Sequence, residues 1–243
     1  MPNLNKIDDQ GNYLEFPGVS IVAHVGQANL NLWQKIHRFL QNTPALRNYF
    51  SPLPYQSYHM TTCDLYTKED TAGDWIHFIS QNLQLFQKLN RKLSELKFTP
   101  TIAIENIYFF PALQLVITIP PEQRMIIQRV ASEFGLENKI PAEFHITLAY
   151  GYNEIEDEDS FKEIKNKIGE LLTICHKYEQ PITLSPPELC FFHTMEQFIP
   201  WDGSTNPFIP QRPADRWKLF NFKNGLEKEG NDKNANSKIC LVM

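Results

Sequence analysis

The chain has little that would mark it for a membrane or for the outside of a cell. No run of 18 or more apolar residues occurs in its 243 residues, so no spanning helix is expected. The opening stretch, MPNLNKIDDQGNYLEF, is polar and lacks the apolar core of a secretory signal. Cysteine is scarce. Cys63, Cys175, Cys190 and Cys240 form no C-x-x-C pair, which argues against a disulfide framework and for a reducing compartment. Positive charge is lacking too: the net charge is −5, so there is no general basic footprint for duplex nucleic acid. No H-x-H or H-E-x-x-H spacing occurs, and neither a metal site nor any other cofactor is expected.

What remains is a folded protein with a local signal. Hydrophobic content of 42% and aromatic content of 12% suit a globular chain. Its length allows one domain of two lobes or two small domains. Two stretches read as copies of one idea: Tyr58-His59-Met60-Thr61 inside QSYHMTTCDLY, and Phe144-His145-Ile146-Thr147 inside EFHITLAYGY. β-Branched and aromatic residues make both of them strands. Residues i and i+2 of a strand share a face. His59 therefore projects with Thr61, and His145 with Thr147, while Tyr58, Met60, Phe144 and Ile146 turn to the core. A histidine beside a hydroxyl on one strand face can bind a phosphate, and two such faces turned together would grip it from both sides. Seven histidines and 23 Ser or Thr give about 0.7 matches to His-x-Ser/Thr by chance. The pattern therefore leaves a second reading open, two half-buried histidines bonded to backbone groups.

In order, Val19–Val25 reads as a strand after a turn at Phe16-Pro17-Gly18. His24 lies on the face opposite Val19, Ile21, Ala23 and Val25, and reads as structural. Leu30–Gln41 reads as a helix with Leu32, Ile36, Phe39 and Leu40 inward, and Pro44 starts a short second one. Asp74 caps a long helix to Leu96, carrying Phe86, Leu89, Leu93 and Leu96 as its buried stripe. Thr101–Phe110 and Leu113–Ile119 read as a hairpin. A helix from Pro120-Pro121 to Phe134 buries Ile126, Val130 and Phe134. The acidic run Glu154–Asp159 starts a helix with Phe161, Ile164, Ile168, Leu171 and Cys175 inward. Ile182–Leu184 and Glu188–His193 read as closing strands. Strands alternating with helices, each His strand followed by a long helix, suit a duplicated α+β unit.

Phe16-Pro17-Gly18, the HMT stretch at 59–61 and FHITLAY at 144–150 resemble the 2H phosphoesterase superfamily, and within it the DUF1868 branch. The resemblance covers most of residues 6 to about 200. It implies an α+β fold of two lobes related by a pseudo-two-fold, each an antiparallel sheet with outer helices. It also implies a cyclic phosphodiesterase acting on a 2′,3′-cyclic nucleotide, an RNA end or a related oligonucleotide linkage. His59 and His145 would be its acid and base, and Thr61 and Thr147 its phosphate donors. Histidine suits both proton-transfer roles because its ordinary pKa lies near working pH. Hydroxyl donors aimed at the non-bridging oxygens stabilise the transition state more than the ground state, so no metal is needed. Which histidine is the acid is not legible here.

Tyr150 and Tyr152 could border a base pocket, although alternation points both away from His145. Cys63 shares the predicted face of His59 and Thr61, so it is a conceivable nucleophile or a small core residue. A module on the same fold that binds a nucleotide or phosphate without turnover is the alternative function. A monomer is expected.

Residues 1–222 read as the catalytic domain, with an aromatic and proline-rich strap at 198–222. Trp201 or Trp217 in that strap could stack on substrate. Residues 223–243 read as a disordered tether. It ends Cys240-Leu241-Val242-Met243, the C-a-a-X pattern with a terminal residue that favours farnesyl. A prenyltransferase is then an expected partner, and Cys240 the lipidation site. The expected location is a eukaryotic cytosol, native or one the protein is delivered into, with marginal and reversible membrane binding. In eukaryotic cells the wild type should carry a farnesyl mass on Cys240 and partition partly to membranes. Cys240→Ser should be soluble, and membrane association indifferent to that change would end the idea.

Overall fold

Alternation of apolar residues builds the sheet. The computed structural model describes residues 5–71, 73–178 and 180–209. Nine strands form one sheet: β1 (Gly18–His24), β2 (Phe50–Pro52), β3 (His59–Thr67), β4 (Thr101–Tyr108), β5 (Ala112–Thr118), β6 (His145–Gly151), β7 (Ile182–Thr183), β8 (Glu188–Phe192) and β9 (Ile199–Pro200). The order is β7-β4-β5-β6-β3-β1-β8-β9, with β2 also paired to β6. The two lobes are therefore halves of one sheet. They meet where β3 and β6 pair antiparallel at Met60 and Ile146, and both residues are fully buried. This seam sets the two His-x-Thr segments side by side.

The helices are α1 (Leu30–Asn42), α2 (Pro44–Arg47), α3 (Trp75–Gln81), α4 (Leu83–Glu95), α5 (Pro121–Glu133) and α6 (Glu158–His176). The predicted cap holds, since Asp74 accepts from the His77 amide, and within the acidic run Asp157 opens α6 by accepting from the Ser160 amide. The single helix expected from Asp74 to Leu96 is two, broken at Asn82, whose φ of −99° and ψ of 7° leave the helical region. The apolar stripe of α4 buries Phe86, Leu89 and Leu93. Helix α5 buries Ile127, Val130 and Ala131, one position round from the expected Ile126. Phe161 was expected inward but is 41% exposed. It lies in the first turn of α6, its ring 5.7 Å from that of Phe109 and tilted 50° to it.

The described residues up to Asn206 belong to one compact unit; of those after it, 207–209 are described. Of the strap, residues 198–209 are described, and Phe198 and Trp201 anchor them to the core. β9 pairs with β8, the Trp201 amide donates to the Leu189 carbonyl, and the Trp201 ring is buried 5.0 Å from Phe86. Trp201 is thus a core residue rather than a stacking platform. Residues 210–222 with Trp217, and the tether with Cys240, lie outside the described residues. No described helix is long and apolar enough to cross a membrane.

Candidate active site

Four side chains singled out in the sequence open on one cleft of about 460 Å³: His59, Thr61, His145 and Thr147. Their neighbours face the opposite way as alternation requires, with Tyr58, Met60, Phe144 and Ile146 all buried.

Beyond these four, alternation fails on two strands, and both failures bear on the site. Strand β5 is regular, so Ala112, Gln114 and Val116 share a face. Their partners on β6 are Tyr150, Thr147 and His145, and Leu148 is the extra residue. A bulge of this kind flips the side chains beyond it. Tyr150 therefore joins Thr147 on the cleft side and lines the cleft, contrary to the reading from period two. Tyr152 does not reach it. Its hydroxyl donates to the Arg47 carbonyl and its ring lies against Gly11.

The second failure is on β3. Val19, Ile21 and Ala23 share one face of β1, and their partners are Tyr66, Cys63 and Met60, three residues apart instead of two. Cys63 is thereby turned to the core, where it lines a small apolar cavity with Leu89, Leu93 and Leu136. Burial, then the Asp64 charge, push its thiol up to about 12. Such a thiol is no nucleophile at neutral pH. Asp64 takes the place in the cleft that alternation gave to Cys63 and accepts a 3.2 Å hydrogen bond from Ser20 Oγ.

The two imidazoles are held alike. His59 Nδ1 lies 2.6 Å from the Ser57 carbonyl, and His145 Nδ1 lies 3.3 Å from the Glu143 carbonyl. A carbonyl only accepts, so each Nδ1 carries the proton and each Nε2 keeps its lone pair. Both rings are thus tied to the residue two positions before them. Thr147 Oγ1 accepts from Gln114 Nε2 at 3.2 Å, which orients its hydroxyl as a donor.

Burial depresses both histidines. Desolvation pushes His59 down to about 3, against the Ser57 hydrogen bond and with small additions from His24, His145 and Lys6. His145 is also lowered, first by burial, while the Glu143 hydrogen bond and the Asp64 and Glu143 charges pull it back up. His59 is the harder of the two to protonate.

Two cleft-lining lysines, Lys6 and Lys139, were missed by sequence reasoning, and Lys6 is the one set between the aromatic rings. It lines the cleft, its ammonium 4.8 Å from the Phe16 ring centroid and 5.4 Å from that of Tyr150. Its burial lowers its pKa against the pull of Asp64 and Glu69. Lys6 gets there because Ile7, fully buried, bridges to Tyr13 and pins the N-terminal segment. A lone lysine in a polar lead-in carries no sequence signal of this.

Aromatic rings form one wall. Phe198 lies 4.0 Å from the His59 ring and 4.6 Å from Phe192, and Phe16 stacks on Phe192 at 6.5 Å. The Phe192 ring crosses directly over Gly18, where an added Cβ would meet it at 2.3 Å. The glycine after Phe16-Pro17 is thus a requirement of the wall as well as of the turn. His24, expected to be structural, faces the same side as His59, its partner across β1 and β3, with the rings 6.1 Å apart.

Comparison with known proteins agrees with this picture. Residues 6–106 match the family 2H-phosphodiest, described as a domain of unknown function (DUF1868). The uncharacterized protein 127L of Invertebrate iridescent virus 6 is 23% identical over 223 residues, covering 82% of this chain and 94% of that one. A conserved protein of unknown function, ATU0111 from Agrobacterium tumefaciens str. C58, shares the fold with a TM-score of 0.62 and 18% identity, over 83% of this chain and 92% of its own. The apo structure of LigT from E. coli aligns with a TM-score of 0.43 and 12% identity, over 77% of this chain and 96% of its own. Residues 6–106, which take in the first His-x-Thr strand, are thus similar to the 2H phosphoesterase-like DUF1868 family.

Proposed function

We propose that the cleft hydrolyses a cyclic phosphodiester without a metal ion. The substrate class is a 2′,3′-cyclic nucleotide, an RNA 3′ end bearing that group, or a related oligonucleotide linkage. One observation carries the reading: two His-x-Thr pairs from separate strands line one cleft, each histidine fixed through Nδ1 so that Nε2 is the atom left to exchange protons. Its volume, about 460 Å³, lies within the range of small-molecule sites, roughly 300–1,000 Å³. The Phe16, Phe192 and Phe198 wall offers a base a face to stack on.

In this reading His59 is the base, since it stays neutral most easily. His145, nearer to carboxylates that favour its charged form, is the acid for the leaving oxygen. A bound phosphate anion raises both pKa values and charges the acid. Thr61, Thr147 and Lys6 stabilise the negative charge that grows on the non-bridging oxygens.

A binding module without turnover is the second reading. The depression of both histidines favours it, because a cleft with neutral rings lacks a ready acid. A panel of 2′,3′-cyclic nucleotides and short RNAs ending in a cyclic phosphate separates the two. Multiple-turnover hydrolysis that persists in excess EDTA is the expected result. Tight binding of one member with no product across the panel would establish the module instead, and activity restored only by added metal would replace the metal-free mechanism. The farnesyl tether on Cys240 remains a separate proposal, resting on the C-a-a-X pattern alone.

A further inference from the structure

A second set of side chains on the cleft face of β1 and β8 has the chemistry of a metal site. His24, Glu188 and Cys190 each offer one ligand atom, and the three atoms lie within 4.8 Å of one another. His24 Nε2 is 3.7 Å from a Glu188 carboxylate oxygen and 3.8 Å from Cys190 Sγ. Ligands at ordinary zinc bond lengths around a tetrahedral ion stand about 3.3–3.6 Å apart. Two of the three spacings are thus a few tenths of an ångström from closure. Glu188, with its side chain 40% exposed, is free to swing the remainder and leaves an entry path.

The backbone fixes two of the ligands. On β8 they are residues i and i+2, hence on one face, with Glu188 opposite Val22 and Cys190 opposite Ser20. His24 follows Val22 by two on the regular strand β1, so it shares that face.

The charges suit a divalent ion. A carboxylate and a thiolate with a neutral imidazole sum to −2, and an M²⁺ ion among them leaves a neutral site.

We propose that His24, Glu188 and Cys190 bind a thiophilic divalent cation, of which zinc is the natural example, at a three-ligand site with one position open. Thiolate and imidazole together select zinc over the hard cations magnesium and calcium. On binding, the Cys190 thiol loses its proton to solvent as the sulfur–metal bond forms, so affinity rises with pH. The site does not depend on the phosphodiester reading and takes no part in that chemistry.

Cobalt(II) reports on the site directly, because a thiolate ligand gives a charge-transfer band that oxygen and nitrogen ligands do not. Full-length protein carrying Cys240→Ser, to remove the other thiol a metal could reach, is titrated with Co²⁺. A band that saturates at one equivalent, is displaced by Zn²⁺, and vanishes when Cys190→Ser is added is the expected outcome. Glu188→Gln, a half-exposed change that should leave the fold intact, is expected to weaken cobalt at least tenfold. No band in the parent protein, a band that survives Cys190→Ser, or unchanged affinity in Glu188→Gln each overturns the site.

Discussion

Alanine at His59 or at His145 is expected to lower the rate of cyclic phosphodiester hydrolysis by roughly 10²–10⁴-fold, the usual value of a positioned acid or base. The two changes should not be equivalent in pH. His59 must be neutral to act as a base, so activity falls as pH drops through its pKa. His145 must be protonated to act as an acid, so activity falls as pH rises through its own. Both pKa values are depressed in the free protein, His59 to about 3 and His145 below the ordinary histidine value. The wild-type profile of kcat/KM should therefore peak on the acid side of neutrality. The profile of kcat should lie higher, since bound phosphate raises both groups. His59→Ala should lose the acidic limb and His145→Ala the alkaline one. Loss of the opposite limbs would reverse the assignment, and a rate within a few-fold of wild type in both variants would end the acid–base reading.

Lys6→Met should be the next most damaging change, on the order of 10²-fold in kcat/KM, as for loss of one preorganised electrostatic donor. Methionine keeps an unbranched chain of similar length, so contact with Phe16 and Tyr150 is largely retained while the charge goes. A second readout separates charge from packing. Burial is the main depressor of both histidines, but the Lys6 charge adds to it in each. Without that charge both limbs of the pH profile should move to higher pH. Lys6→Arg should restore part of the rate. A variant with normal limbs and normal kcat/KM would show Lys6 to be a packing residue of the N-terminal segment.

Much of this site was legible because it depends on period two over short distances. His59 with Thr61, and His145 with Thr147, needed only alternation within three residues. The buried faces of Tyr58, Met60, Phe144 and Ile146 followed from the same rule. The cap at Asp74 is equally local, since its side chain meets an amide three residues on. Cys63 and Tyr150 were misread for one reason. Each lies beyond an extra residue in a bulged strand, and a bulge records a mismatch in length between paired strands that neither strand shows alone. The price of counting in twos was to mistake Cys63 for a cleft residue and to overlook Asp64.

The sequence alone determined that two strands would each present an imidazole beside a hydroxyl, because that is a property of extended backbone. Only the tertiary structure decided that they face one cleft. That required the β3–β6 pairing at Met60 and Ile146, made between segments far apart in the chain. The same long-range packing brought Lys6 from the N-terminal segment, laid Phe192 over Gly18, and set His24 beside Glu188 and Cys190. Burial, which holds His59 near 3, belongs to the assembled protein as well, since desolvation is the sum of every element that closes over a group.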